Sequence, residues 1–312
     1  MRITVAILVC LGSTLFHGAG FAQTVPDRDV AVWQIALDQL NFSVAGIDGK
    51  VGPRTRAALI AWQQSRGLTP DGIVGPQTRQ SLGLDAAFAE RAFTNYTVTA
   101  ADVTALGTAP AGWRERASVP AMAYESLLEL VAEKFHASEE FIQSLNPDLD
   151  WNAAGSNTVV RVPQVKPRFP PPAAATIRVN MSGKFISVFD KDERFVAYFP
   201  CSIGRNPSTR PVGALEVVNV APDPNYTFDP ALFSESPEAA GIGQKLIIPP
   251  GPNNPVGVMW IGLSKPGFGI HGTPKPADIG RTESHGCFRL ANWDARRLAE
   301  MITVGVPVIV EP

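Results

Sequence analysis

The chain has 312 residues, 45% of them hydrophobic and 18% charged, which describes a globular protein long enough for two or three domains. The formal net charge is −2 and no run of Lys or Arg occurs, which excludes the electrostatic footprint of a nucleic-acid-binding protein and a polybasic membrane patch. Twenty-eight prolines and 27 glycines predict many turns and strands and few long helices.

Residues 1–22 read as a secretory signal peptide. Arg2 is the charged start, Ile3 to Phe16 the apolar core, and Gly20 and Ala22 are the small residues before a cut after Ala22. The segment is too short and wrongly flanked for a lasting membrane span, and Cys10 lacks the small residue of a lipoprotein cut. The exported chain keeps Cys201 and Cys287 only. In an oxidising compartment two cysteines suggest one disulfide by default, which competes with a catalytic thiol.

Residues 27–84 contain a repeat. Asp48-Gly49-Lys50-Val51-Gly52-Pro53-Arg54-Thr55-Arg56 recurs as Asp71-Gly72-Ile73-Val74-Gly75-Pro76-Gln77-Thr78-Arg79, an offset of 71 − 48 = 23 residues. Asp-Gly makes a turn and Pro opens the next helix, where its missing N–H is harmless. Helices are expected at Asp29 to Leu40, through Val32, Ile35 and Ala36, and at Thr55 to Arg66, burying Leu59, Ile60 and Trp62. The D-G-x-x-G-P-x-T-R pattern resembles the peptidoglycan-binding type 1 family, a small three-helix domain, and the resemblance implies docking on cell-wall glycopeptide.

In residues 96–164, Tyr96 to Thr99 reads as a strand and Ser126 to Phe135 as an amphipathic helix. A second helix is capped by Ser138 and stopped by Asn146-Pro147, and Thr158 to Pro163 reads as a closing strand. This βααβ order is similar to a LysM module, another glycan binder, with an insertion at Asp102 to Tyr124 in place of a short turn. The linker 165–175 is Pro-rich and expected to act as a stiff spacer.

From Thr176 to the end at 312 the pattern is β. Successive antiparallel strands are expected at 177–181, 184–189 and 194–203, with further strands at 215–220, 257–263 and 306–310. One helix follows Asn292, read as its N-cap, with Asp294 in its first turn and a buried stripe of Leu298, Met301 and Ile302.

Chemistry concentrates at Ile270-His271-Gly272-Thr273 and Ser284-His285-Gly286-Cys287-Phe288-Arg289-Leu290, with 287 − 271 = 16 residues from His271 to Cys287. A thiol near its ordinary pKa of about 8.5 needs a base, an orienting group for that base, and backbone donors for the oxyanion. Each piece alone is weak, since a buried Cys is commonly a small core hydrophobe.

Together, H-G-T, an intervening Gly280 and S-H-G-C-x-R-L resemble the signature of the L,D-transpeptidase (YkuD) catalytic domain, over residues 176–312. The resemblance implies a mostly-β sandwich and no cofactor or metal. It implies Cys287 as nucleophile, His271 as base and later acid, and the backbone carbonyl of Gly272 as the orienting group. Oxyanion donors would come from N–H groups around His285, Gly286 and Cys287, with Ser284 and His285 shaping the site. Arg289 is a candidate for a substrate carboxylate, an internal salt bridge being the alternative. Arg210 departs from the family, which commonly has Thr there.

The implied substrate is a peptidoglycan stem tetrapeptide, attacked at its third residue with release of D-alanine and acyl transfer to an amine, giving a 3→3 cross-link. No nucleic-acid or membrane-spanning role is expected. The rival readings are a zinc hydrolase using Cys287, His285 and His271, a Cys201–Cys287 disulfide in a non-catalytic wall binder, and the same acyl-enzyme resolved by water or by a wall-linked protein.

Overall fold

The computed structural model describes residues 26–204, 210–233, 237–281 and 286–312; the expected signal segment 1–22 and the site residues Ser284 and His285 lie outside them. Among the described residues no helix is long and apolar enough to cross a membrane.

The first unit packs α1 (Arg28–Gln39), α2 (Pro53–Ser65) and α3 (Pro76–Leu82), followed by a short α4 (Ala86–Arg91). The repeat is a repeat of bonds. The Gln34 side-chain amide reaches Asp48 Oδ1 at 2.8 Å, the Lys50 carbonyl at 3.1 Å and Thr55 Oγ1 at 3.1 Å, and its oxygen accepts from the Gly49 N–H at 2.8 Å. Gln63 does the same with Asp71, the Ile73 carbonyl, Thr78 and the Gly72 N–H. Gly49 and Gly72 sit at φ +66° and +69°, which glycine adopts without steric cost. Pro53 and Pro76 open their helices as expected, and Leu59 and Trp62 are buried, while Ile60 is half-exposed.

The second unit runs from β1 (Phe93–Thr97) through α5 (Ala100–Thr104), α6 (Trp113–Ser118), α7 (Leu127–Lys134) and α8 (Glu139–Leu145) to β2 (Val159–Pro163), which pairs antiparallel with β1. Ser126 and Ser138 cap α7 and α8 through bonds to the N–H of Glu129 and Phe141. Helices α5 and α6 occupy the insertion.

The third unit contributes β3 (Thr176–Asn180), β4 (Phe185–Phe189), β5 (Phe195–Pro200), β6 (Gly213–Pro222), β7 (Tyr226–Phe228), α9 (Pro237–Ala240), β8 (Leu246–Ile248), β9 (Met259–Leu263), β10 (Gly269–His271), β11 (Phe288–Arg289), α10 (Asn292–Met301) and β12 (Pro307–Glu311). Eight strands form one sheet in the order β11-β10-β9-β6-β12-β3-β4-β5, and β7 and β8 make a separate hairpin. Ile186 of β4 and Ile270 of β10, near opposite ends of that order, share one core with Leu298 of α10, so the sheet curls on itself. The ten-residue β6, with a register shift between Val217 and Asn219, serves both halves. The antiparallel expectation for the first three strands holds in β3-β4-β5, and the sheet is mixed beyond them: β12 runs parallel to β3, and β10 parallel to β11.

The units share packing. One apolar core joins Leu37 and Trp62 of the first unit, Phe141 and Val162 of the second, and Tyr198 of β5. Residues 41–43 extend the free edge of β5: Tyr198 donates its N–H to the Asn41 carbonyl, and Ser43 donates to the Tyr198 carbonyl, both at 2.9 Å. The Pro-rich segment is pinned rather than a spacer. Arg168 bonds Gln39 Oε1 at 2.9 Å and the Leu82 carbonyl at 2.7 Å, and Ala174 donates to the Met301 carbonyl at 2.7 Å. The insertion reaches the hairpin, where Trp113 stacks on Phe228 at 4.0 Å and Met122 joins Phe228 and Ile248 in a small core.

Across the first interface Ser43 Oγ donates to Asp294 Oδ2 at 2.8 Å, and Asp294 is 2% exposed. Burial pushes this carboxyl up to about 7, above the usual value of about 3.9. The folded state therefore binds a proton here that the unfolded state releases between those values, and this group's contribution to stability falls as pH rises from about 4 to about 7. Asp294→Asn is expected to stabilise the protein by a few kcal/mol at pH 8, with the advantage vanishing near pH 4. Chemical denaturation at the two pH values checks this; an equal or lower stability of the variant at pH 8 contradicts it.

Candidate active site

The register of two short strands assembles the site. β10 pairs with β11 so that Ile270 faces Phe288 and His271 faces Arg289. Cys287 immediately precedes β11, and the Arg289 charge acts on both Cys287 and His271, so the three groups lie in one region at the β10–β11 pair. Ile270 and Phe288 are fully buried in the core. The alternation of Ile270-His271 and Phe288-Arg289 along the paired strands thus sets His271 and Arg289 on the side away from that core.

His271 is 5% exposed, and its Nδ1 lies 2.7 Å from the Gly272 carbonyl oxygen. A carbonyl only accepts, so Nδ1 carries the proton and Nε2 presents its lone pair. Trp260 of β9, opposite His271 in the register, stacks on the ring at 5.7 Å and 18°. Burial lowers the imidazole pKa to about 4, against the Gly272 bond that favours the cation.

Cys287 is half-buried, and its Sγ donates to the Gly267 carbonyl at 3.6 Å. Burial pushes its thiol up, with a backbone bond and Arg289 acting in the opposite direction. Near neutral pH the Cys287 side chain is therefore a thiol and the His271 ring a neutral imidazole. Tyr226 of the β7-β8 hairpin feels the Cys287 charge, and burial raises its phenol to about 12.

Gly286 lies where two backbones meet: a Cβ on Gly204 would come within 2.8 Å of its Cα. Arg289 exchanges backbone bonds with Ser202, both 2.9 Å, and lines a cavity of about 210 Å³ with Ser202, Thr273, Lys275 and Asp278. Desolvation lowers its pKa, and Asp278 and Cys287 counter that. Arg54 of α2 reaches the segment between the two site strands, donating to the carbonyls of Ile279 at 3.1 Å and Ala277 at 3.3 Å.

Asn292 is not the helix N-cap: Ala291 holds that position. Its side chain, 1% exposed, is used elsewhere. Oδ1 accepts from the N–H of Thr273 at 3.1 Å and of Val258 at 3.3 Å, and Nδ2 reaches both carboxylate oxygens of Glu133 at 3.0 Å and the Pro252 carbonyl at 3.2 Å. Sequence reasoning saw the Asn but took it for a cap. It had no signal for Glu133, which looks like an ordinary solvated position on an amphipathic helix.

Cys201 and Cys287 are both free thiols, so the disulfide alternative does not hold. Cys201 is fully buried in the core, and its thiol is pushed up to about 12.

A thiol, an imidazole held by a backbone carbonyl and a guanidinium gathered at the β10–β11 pair of a curled mixed sheet define an acyltransferase of the cysteine type. The chain belongs to the L,D-transpeptidase family: the family described as "L,D-transpeptidase catalytic domain" matches residues 174–310, and "Putative peptidoglycan binding domain" matches residues 26–82. It is 31% identical over 160 residues to the "Putative L,D-transpeptidase in ATP synthase subunits region ORF 5" of Fuscovulum blasticum, covering 44% of this chain and 82% of that one. It is 26% identical over 185 residues to the "Putative L,D-transpeptidase YkuD" of Bacillus licheniformis, covering 59% of this chain and 93% of that protein. A crystal structure of an L,D-transpeptidase from Xylanimonas cellulosilytica aligns over 91% of this chain and 93% of that chain, at 16% identity and a TM-score of 0.38.

Proposed function

We propose that this L,D-transpeptidase acts on peptidoglycan stem tetrapeptides, with Cys287 as nucleophile and His271 as base. The observation that supports the reading is the β10–β11 pairing: it sets His271 opposite Arg289, Cys287 directly precedes β11, and the Arg289 charge acts on both. As Sγ attacks the carbonyl of the third stem residue, its proton passes to His271 Nε2. The C–N bond then breaks, and the departing D-alanine takes that proton. An amine of a second stem attacks the thioester, the new amide forms, and the amine's proton returns through His271 to the released sulfur. The N–H groups of Gly286 and Cys287 hold the oxyanion, the site-shaping candidates Ser284 and His285 lying outside the described residues, and Arg289 with Lys275 suits a substrate carboxylate.

The wall-binding type of first unit, and a LysM-like role for the second, supply the binding to an insoluble substrate. The protein is then exported and cell-wall associated, with residues 1–22 as its signal. Because the units are packed together, they present the substrate to the site in a fixed orientation rather than as loose tethers.

Purified protein with muropeptides, read by mass spectrometry, tests the function. The expected products are 3→3-linked dimers lacking one D-alanine; tripeptides alone would assign a hydrolase, and unchanged substrate would overturn the reading. The charge state of the pair is tested separately. Alkylation of Cys287 by iodoacetamide is expected to climb steeply from pH 6 to pH 8, toward about tenfold per unit, because burial keeps the thiol protonated there. A plateau below pH 7 would instead mark a preformed ion pair.

A further inference from the structure

We infer that Glu133, on α7 of the second unit, is a positioning residue for the catalytic base, acting on His271 through Asn292 and the peptide bond between Gly272 and Thr273. The inference rests on the proposed roles of Cys287 and His271.

The links are four groups in a row. The Glu133 carboxylate accepts from Asn292 Nδ2 at 3.0 Å through each oxygen. Asn292 Oδ1 accepts from the Thr273 N–H at 3.1 Å. That N–H belongs to the same peptide unit as the Gly272 carbonyl, which accepts from His271 Nδ1 at 2.7 Å. One amide side chain and one backbone amide thus connect a carboxylate to an imidazole, every bond pointing the same way.

Two physical effects follow. The first is orientation. A side-chain amide has a donor end and an acceptor end, and Asn292 faces two N–H groups on one side. Glu133 and the Pro252 carbonyl are acceptors on the other, so a flipped amide would set donor against donor and oxygen against oxygen. The correct setting locks the 272–273 peptide plane, and with it the direction of the carbonyl that holds the ring. The second is polarisation. An anionic acceptor at one end strengthens each bond down the row and raises electron density at the Gly272 oxygen. That favours the imidazolium formed when Nε2 receives the thiol proton. A carboxylate bonded straight to the ring does this in other nucleophile–base–acid sites; here two amides stand between.

The surroundings of Glu133 suit a charge that matters. Tyr124, from the segment before α7, donates its hydroxyl at 2.9 Å. Glu129, one turn earlier on α7, acts against ionisation and Arg296 of α10 favours it, while Lys134 and Asp102 lie across the same groove. Desolvation wins and raises the carboxyl to about 7. Holding an anion there is costly, and a neutral glutamine would fill the space at less expense. The groove, about 410 Å³, opens between the second unit and α10 and gives protons access.

The test uses the full chain and compares wild type, Glu133→Gln and the swap Glu133→Gln with Asn292→Asp, in which glutamine donates to an anionic residue 292. Turnover and Cys287 alkylation by iodoacetamide are followed from about pH 5 to about pH 9, with melting curves. Glu133→Gln is expected to lower kcat about tenfold with KM nearly unchanged, a fraction of what a positioned base contributes. It should also remove an inflection near pH 7 from the wild-type profile, and the swap should recover most of the lost rate. A Glu133→Gln protein with wild-type kcat and the same inflection overturns the inference, as does a loss that only follows the unfolded fraction. His271→Gln separates the two levels: if it leaves wild-type alkylation and turnover intact, the Cys287–His271 pairing itself fails.

Discussion

Cys287→Ala is expected to lower transpeptidation at least about 10⁴-fold while leaving the melting temperature within a few degrees of wild type. In the proposed mechanism the sulfur is the bond-forming atom, and the donors and guanidinium around it cannot replace an acyl-enzyme. The side chain is half-buried beside the Gly267 carbonyl, so little packing is lost with it. Cys201→Ala should give the opposite result. That thiol is fully buried among Ile186, Phe199 and Ile203, and its pKa is pushed up to about 12, so it carries packing and no chemistry. Loss of its volume should cost about 1–2 kcal/mol with turnover retained. Mass-spectrometric labelling with iodoacetamide, run beside turnover, reads both variants. Turnover surviving in Cys287→Ala, or vanishing in folded Cys201→Ala, would reverse the assignment.

The burial of Cys201 and the motif around Cys287 are both legible in the sequence, because strand pattern and turn residues are local features. His271 ends β10 and Cys287 directly precedes its neighbour β11, so the two local motifs meet at one strand pair. The repeated Asp-Gly turns were equally plain, since Asp, Gly, Pro and Thr are the turn's own residues. What the pattern missed is what comes from a distance. Gln34 and Gln63 hold the two turns from a preceding helix, and a glutamine on a helix carries no mark of that use. The parallel pairing of β12 with β3 joins strands at opposite ends of the third unit, which strand periodicity cannot register. Stiff prolines predicted a spacer, but Arg168 and Ala174 pin that segment through bonds to residues far along the chain. Asn292 was misread for a related reason. An Asn before a helical stripe is a sound cap signal, yet the helix begins one residue sooner and its amide serves two loops and a second unit.

Gly257→Ala should expose how tightly that amide is held. The residue sits at φ +63°, where a side chain is already strained by about 1 kcal/mol or more. An ideal Cβ there would lie 2.0 Å from Asn292 Oδ1, 2.7 Å from the Gly272 carbonyl carbon and 2.7 Å from the Thr273 nitrogen. Two of these three are backbone, so the Asn292 side chain must leave or the peptide behind His271 must move. Either outcome breaks the Thr273–Asn292 bond and frees the carbonyl that aims the ring. The expected result is a loss of roughly 3 kcal/mol of stability and a fall in kcat of about 100-fold in the fraction that remains folded. Gly67→Ala is the matched control, because its φ is +64° and an added Cβ there meets nothing within 4 Å. Urea denaturation gives the first quantity and turnover per folded molecule the second. A Gly257→Ala protein that folds and turns over like the control would mean that Asn292 has room to shift without disturbing the base, and the row of bonds from Glu133 to His271 would then have no hold on the ring.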